Sequence, residues 1–402
     1  MLKHLLALRL NRNRSMTNSI TILKAYKTKL RPTAEQVRYF GACCGVARFV
    51  FNWALADRKK MFEDGGKPNR FEQERRFNVI KDELYPWIRK YPSRLIGAEF
   101  KHVDIAYQNF FRNIKNGKSG RDAGFPKFKS RFKDKQSFTL RGSIRVENGR
   151  VKLPRIGWVN LSEKNYIPEG VKINFVTISE RAKDWFISFQ VEQEIDSPQQ
   201  PTGDPIGVDV GIKSLAVCSD GKEFPNDKVL TQYEKKLATL QRELSRRTKG
   251  SANREKTKEK IAKLHQKIAN KRAHNLHNVS KYVTEHKRPS VVVIEDLNIS
   301  GMMKNHKLAK ALGDSSMSEL HRQIEYKAAW NGIEVVKADR WFASSKTCHV
   351  CGCIQDVPLS VRVFKCPDCG TRIDRDLNAA KNLAALAEPV KHGGLPVELG
   401  SS

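Results

Sequence analysis

The sequence is short of long apolar stretches. Its uniformly apolar runs, such as "SVVVI", fall far below the roughly 20 residues a bilayer-crossing helix needs, so no membrane partner is expected. Cysteine is scarce as well. Eight in 402 residues is not the density of a disulfide-stapled secreted scaffold, and a reducing, cytoplasmic setting fits better. The opening "MLKHLLALRL" breaks its apolar patch at Arg9 and lacks a small-residue cleavage site, so it does not read as a signal peptide. Residues 1–18 are expected to be an extension, since Met16 would serve equally well as a start. No internal repeat is visible. Acidic residues are outnumbered, 43 against 74 Lys and Arg, leaving a net charge of +31. That excess predicts a polyanionic partner, and nucleic acid is a better match than a membrane surface.

What is present supports a folded, multidomain chain. Hydrophobic residues make up 39%, and 402 residues exceed one ordinary core, so two or three domains are expected. "SITILKAYKTKLRP" reads as a strand. Thr33 and Gln36 then form a capping-box opening, and helical periodicity runs from residue 34 to about 116. The texture changes near residue 117. "SFTLRG", "SIRVENGRVKLP", "KINFVTISE" and "DWFISFQVEQEI" alternate and are punctuated by turns, as in a small antiparallel β-barrel. "DSPQQPTGDP" is a linker and domain boundary.

Beyond it, "IGVDVGIKSLAVCSDGKEF" reads as strand, turn, strand. Leu230, Tyr233, Leu237, Leu240 and Leu244 step by 3, 4, 3, 4, and a second stripe runs from Ile261 to Val283. Joined by the basic loop "SRRTKGSANREKTKEK", these predict a helical hairpin packed on itself. "PSVVVIEDL" is a buried strand, "SMSELHRQIEYKAAWNG" a helix and "IEVVKADR" a further strand. The expected division is an extension (1–18), a barrel (19–33 and 117–200), a helical insert (34–116), a second α/β domain (203–345 and 373–392) interrupted by a metal knuckle (346–372), and a tail (393–402).

Cys348 and Cys351 are followed, after 14 intervening residues, by Cys366 and Cys369. Two CxxC knuckles at this spacing complete a closed tetrahedral four-thiolate zinc site, structural because no coordination position is left open. A redox pair would need one CxxC in a thioredoxin-like unit, which is absent. Cys353 is an extra thiol that could compete for the metal. Cys43, Cys44 and Cys218 read as buried small hydrophobes.

Three carboxylates form a second set. In "IGVDVGIK", Val208 and Val210 face the core while Asp209 shares its face with Gly207 and Gly211, which leaves room for a ligand or metal. Glu295 ends an apolar strand, where a charge is costly unless paired or metal-bound, and Asp296 points the other way. Either Asp374 or Asp376 of "DRDLNAAKN" supplies a third carboxylate at a helix start, a position where Asp is also a common cap. Oxygen donors of this kind hold Mg²⁺ or Mn²⁺, and a pair of such ions can hydrolyse a phosphodiester.

"GVDVGIKSLAV", "VVIEDL", "SSKTCHVCG…FKCPDCG" and "DRDLNAAKN" together resemble the transposon-encoded TnpB family, compact RNA-guided nucleases related to type V CRISPR effectors. The similarity runs from about Lys24 to Asn382 and includes "FFRNIKNGKSGRDAGFPKFKSRF" and "VKLPRIGWV". It implies an α+β and α/β multidomain fold: a β-barrel with a helical insert, then an RNase H-like (RuvC) domain containing a zinc ribbon. The implied catalytic, magnesium-binding residues are Asp209, Glu295 and Asp376, and the implied zinc ligands are Cys348, Cys351, Cys366 and Cys369. The implied partners are a guide RNA from the transposon end and double-stranded target DNA cut beside a short adjacent motif, with a monomeric protein in a prokaryotic, nucleoid-associated complex. A nuclease-silent repressor, a strand-transfer transposase and a guide-independent nuclease are the rival expectations. No tyrosine or serine recombinase motif supports the transposase.

Residues 110–135 carry nine Lys or Arg against two Asp, interleaved with Phe110, Phe111, Phe125, Phe128 and Phe132. Cations there would meet phosphates and exposed rings could stack on bases, against the plainer possibility that the rings are core. The phosphate-contact candidates are Lys127, Lys129 and Arg131, with Arg246, Arg247 and Lys249 in the hairpin loop.

Overall fold

The computed structural model describes residues 19–387 except Pro68, Glu169, Gln200 and Leu359, so the expected extension and tail lie outside the described residues. The chain forms two compact units, which meet between Glu194 and Ile195 within the last strand of the first.

The first unit opens with β1 (Ser19–Arg31) and the 30-residue α1 (Ala34–Glu63). Thr33 Oγ1 accepts from Gln36 N at 3.2 Å and Gln36 Oε1 accepts from Thr33 N at 3.0 Å. This reciprocal cap contributes about 1 kcal/mol. By length and composition alone α1 could cross a bilayer, which corrects the expectation that no segment qualifies. Its apolar side is spent on the core instead: Phe40, Val50 and Leu55 pack with Phe138, Ile178 and Phe189 of the sheet. Its Arg58 is buried and donates through Nε to Gln73 at 2.9 Å and through Nη1 to Asp104 at 3.1 Å, while Nη2 has no hydrogen-bond partner among the described residues.

Next come α2 (Arg70–Leu84), α3 (Ser93–Lys115) and the single turn α4 (Gly120–Ala123). The strands are β2 (Ser137–Leu140), β3 (Arg145–Glu147), β4 (Arg150–Leu153), β5 (Gly157–Leu161), β6 (Lys172–Arg181) and β7 (Asp184–Asp196). With β1 they make one sheet in the order β2-β6-β7-β1-β5-β4-β3. β5 was not legible, because "RIGWV" is too short and glycine-led to show an alternation.

The second unit is built on β8 (Ile206–Asp209), β9 (Ser214–Cys218) and β10 (Glu223–Pro225), followed by the hairpin α5 (Val229–Arg246) and α6 (Ala252–Lys281). The expected long basic loop is mostly the first turns of α6, capped by Ser251, so the connection is only residues 247–251. Charged Glu and Lys are good helix formers, and their lack of an apolar stripe hid the helix. Leu230, Tyr233, Leu237 and Leu240 pack on Leu264 and Ile268, so the heptad seam is internal to the hairpin.

Then follow β11 (Val291–Glu295), two short helices α7 (Ile299–Met302) and α8 (His306–Ser315), α9 (Met317–Trp330) and β12 (Glu334–Ala338). The last elements are the β13 (Val363–Lys365) and β14 (Arg372–Asp374) pair and α10 (Arg375–Ala385). The main sheet is ordered β10-β9-β8-β11-β12, with β11 parallel to both β8 and β12. Parallel strands need crossovers, which the helices provide.

Candidate functional site

Three chain segments converge at the carboxyl edge of the parallel strands. The β8 and β11 registers pair Val293 with Gly207 and Ile294 with Val208, so the next residues on each strand, Glu295 and Asp209, emerge side by side. Carboxyl ends of parallel strands are where ligands bind in open α/β sheets. The third carboxylate comes from α10. Asp374 Oδ1 accepts from the backbone N of Asp376 at 2.9 Å and of Leu377 at 3.1 Å. Asp374 is therefore the helix cap, and Asp376 is the one left for the site. Its nearest cation is Arg362, 4.0 Å away.

Electrostatics tie the three together. Burial first, then Glu295 and Asp376 in that order, push the Asp209 carboxyl up to about 8. A carboxyl this perturbed by burial and like charge is the mark of a site that expects a cation. Glu295 is held by Ser344, whose hydroxyl donates to Oε1 at 2.5 Å. Asp296 points away into an ion pair with Arg340 at 2.8 Å.

Gly207, on the face of Asp209, does not have the expected role. A Cβ on Gly207 would lie 2.0 Å from Ala380 O and 2.5 Å from Ala384 N, so the space is filled by the backbone of α10. Gly207 lets the helix carrying Asp376 press directly on the strand carrying Asp209. The expected alternation does hold for Val208 and Val210, both buried.

The knuckle lies beside this site. The thiol sulfurs of Cys348, Cys351, Cys366 and Cys369 all fall within 4.8 Å of one another, with Cys351 and Cys366 at 3.4 Å and Cys348 and Cys369 at 3.6 Å. A tetrahedral zinc with bonds of about 2.3 Å spaces its sulfurs about 3.8 Å apart, so the four fit such an ion. Thr371, through its hydroxyl and its backbone, lowers the Cys369 thiol to about 6, toward the thiolate a metal requires. Cys353 is not a member of the cluster, and Asp368 raises its thiol to about 11. Cys43, Cys44 and Cys218 are buried as expected.

Sequence reasoning missed the clamps between knuckle and helix. Asn382, buried on α10, donates to Ser344 O at 2.7 Å and Thr347 O at 2.6 Å. Asn378, fully buried one turn earlier, donates to Thr347 O at 2.7 Å and accepts from His349 N at 3.1 Å. The i, i+4 spacing of two asparagines on an alanine-lined face was the available signal.

The basic candidates divide. Lys129 is consumed internally: its ammonium meets the buried Glu99 at 3.0 Å and sits 3.9 Å over the Phe51 ring. Arg247 is paired with Glu243. Both are paired within the fold, Lys129 with a buried carboxylate and Arg247 with a half-buried one. Lys127, Arg131, Arg246 and Lys249 are exposed. Among the rings, Phe110 is half-buried against Phe125, while Phe132 is 92% exposed.

Comparison with known proteins follows this geometry. Residues 188–306 match the family model described as "Probable transposase", and residues 318–383 match "Cas12f1-like, TNB domain". Residues 16–67 match a "Helix-turn-helix domain", although the described part of that stretch is β1 and the single helix α1. A Streptomyces pristinaespiralis protein named "Putative RNA-guided DNA endonuclease" is 34% identical, over 90% of this chain and 89% of its own. The Escherichia coli K12 protein "Putative RNA-guided DNA endonuclease InsQ" is 33% identical, over 94% and 96%. The cryo-EM structure of a Cas12f1–sgRNA–target DNA complex shares the fold with a TM-score of 0.53 at 16% identity, covering 90% of this chain and 99% of that one.

Proposed function

The chain belongs to the TnpB family of IS605-type elements, and from that premise we propose that it is a transposon-encoded, RNA-guided, metal-dependent endonuclease that cuts double-stranded DNA beside a short adjacent motif. The observation that carries the reading is the convergence of Asp209, Glu295 and Asp376 at one edge of the sheet, where burial first and then the two other carboxylates raise Asp209 to about 8. Three carboxylates brought to one strand edge, one of them raised by burial, are the donor set of a hard cation.

In this reading Asp209 and Glu295, fixed by the strand register, are the central ligands of Mg²⁺ or Mn²⁺, and Asp376 completes the set from the helix. When bound, such ions would supply an activated water and stabilise the leaving oxygen of a phosphodiester. Ser344 orients Glu295, Asp374 caps the helix so that Asp376 stays free, and Gly207 sets the distance between strand and helix. Zinc held by Cys348, Cys351, Cys366 and Cys369 would brace the loop from which Ser344 reaches Glu295. We read the second unit as RNase H-like and the first as a barrel with a helical insert, which would hold the heteroduplex. Guide pairing would read the target, and the protein the backbone shape and adjacent motif. Lys127, Arg131, Arg246 and Lys249 are the phosphate contacts of this reading.

The test is to express the protein with its flanking transposon DNA, sequence the co-purifying RNA, and incubate the complex with a plasmid library and Mg²⁺. A defined RNA and target-dependent double-strand cutting are expected, with cutting reduced at least 10³-fold in Asp209→Ala, a loss of about 4 kcal/mol of transition-state stabilisation. Bound RNA with target binding but no cutting would favour a repressor. Joining of transposon ends would favour a transposase, and cutting without RNA would remove the guide.

A further inference from the structure

Beside the carboxylates a cleft of about 330 Å³ is lined by Glu295, Asp296, Asp339, Trp341, Ser344 and Lys346 among others. Trp341 is 87% exposed; among the described tryptophans the next most exposed is Trp87, at 41%. Its place is fixed. β12 pairs Ala338 with Glu295, and Trp341 follows three residues on, at most about 11 Å of extended chain from that pairing. The turn that presents it is pinned: Asp339 Oδ1 accepts from Trp341 N at 2.8 Å, and Asp339 O from Phe342 N at 3.0 Å. Arg340 is bolted to Asp296 at 2.8 Å, so the indole stands on a braced loop rather than a free one.

We infer that Trp341 is a stacking seat for a nucleobase of single-stranded DNA, next to the phosphate held at Asp209, Glu295 and Asp376. The inference rests on the nuclease reading of those carboxylates. The chemistry of the cleft selects this occupant. Its cations are already paired, Arg340 with Asp296 at 2.8 Å and Lys346 with Asp356 at 2.6 Å, so a phosphate has no free partner there. Asp296 and Asp339 make the wall acidic, which disfavours an anion further. An uncharged base needs none of these groups, only a π face, and every base has one. An apolar protein partner would want neighbouring exposed hydrophobics, whereas the apolar lining residues Leu297, Ala338, Phe342 and Ala343 are buried or half-buried. By holding one base, the seat would set the register of the strand at the carboxylates.

Stacking on an aromatic is worth about 1–3 kcal/mol per base, which at 1.4 kcal/mol per tenfold converts to about 5- to 140-fold. The experiment photocrosslinks a single-stranded oligodeoxynucleotide carrying one 5-iodouracil to the full-length protein in its guide complex and maps the adduct by mass spectrometry. Cleavage is measured in parallel on wild type, Trp341→Phe, Trp341→Ala and Asp209→Ala. The expected result is an adduct on Trp341, a 5- to 140-fold fall in kcat/KM for Trp341→Ala, and recovery in Trp341→Phe. Adducts only elsewhere, with Trp341→Ala cutting at the wild-type rate and wild type still dependent on Asp209, would overturn this inference alone. An adduct on Trp341 in a protein that cuts no DNA would keep the base seat and overturn the nuclease reading instead.

Discussion

Asp209 carries the clearest single-residue consequence. With its folded value raised to about 8, the carboxyl keeps a proton that the unfolded chain, at an ordinary carboxylate value, has already lost. Between about pH 4 and pH 8 the folded state therefore binds more protons, and stability falls as pH rises. Asp209→Asn removes that slope. In metal-free protein the variant is expected to melt a few degrees above wild type at pH 9, with the gap closing toward pH 5, by differential scanning calorimetry. Added Mg²⁺ should shrink the gap by stabilising wild-type carboxylate. A gap that ignores pH would remove burial and like charge as the cause.

At the scale of elements, the fit of α10 on β8 decides whether a site exists. Gly207→Ala would place a methyl 2.0 Å from Ala380 O and 2.5 Å from Ala384 N, both backbone atoms of one helix, so the whole helix must move. The expected cost is about 3 kcal/mol or more, read as a lower urea midpoint, with loss of cutting because Asp376 moves with the helix. Gly41→Ala in α1 is the control. Nothing lies within 4 Å of its Cβ, and alanine in a helix should be neutral or stabilising by up to about 1 kcal/mol. The glycine was visible in the sequence, but its reason was not. A strand pattern shows which face a residue occupies and says nothing of a helix 170 residues later that will cover that face. The Asn378 and Asn382 clamps escaped for the same reason, since their partners, Thr347 and Ser344, lie outside any local period.

Across the whole molecule the +31 charge governs association. Binding to single-stranded DNA should weaken linearly in log salt, with a slope of about −0.7 per phosphate neutralised. Replacing exposed Lys127, Arg131, Arg246 or Lys249 by alanine should lower that slope by about one phosphate each, measured by fluorescence anisotropy at 50–300 mM NaCl. Lys129→Ala should leave the slope unchanged and lower stability, because it leaves the buried Glu99 with His102, at 3.1 Å, in place of two partners. Equal slopes for all five variants would assign the charge to a diffuse field rather than to contacts.

The sequence alone determined whatever depends on local spacing. Thr33 with Gln36 wrote the start of α1, the 3-4 step of leucines wrote α5 and its inward seam, and two CxxC pairs wrote the knuckle. Each is a pattern closed within a few residues or a pair of short motifs. Only the tertiary structure showed that Asp374 caps α10, that Lys129 and Arg247 are paired with carboxylates, that Cys353 lies outside the thiol cluster and that Trp341 stands beside Glu295. Those outcomes turn on which groups meet across the fold, and a charge or thiol is free or spent according to a partner that local sequence does not name.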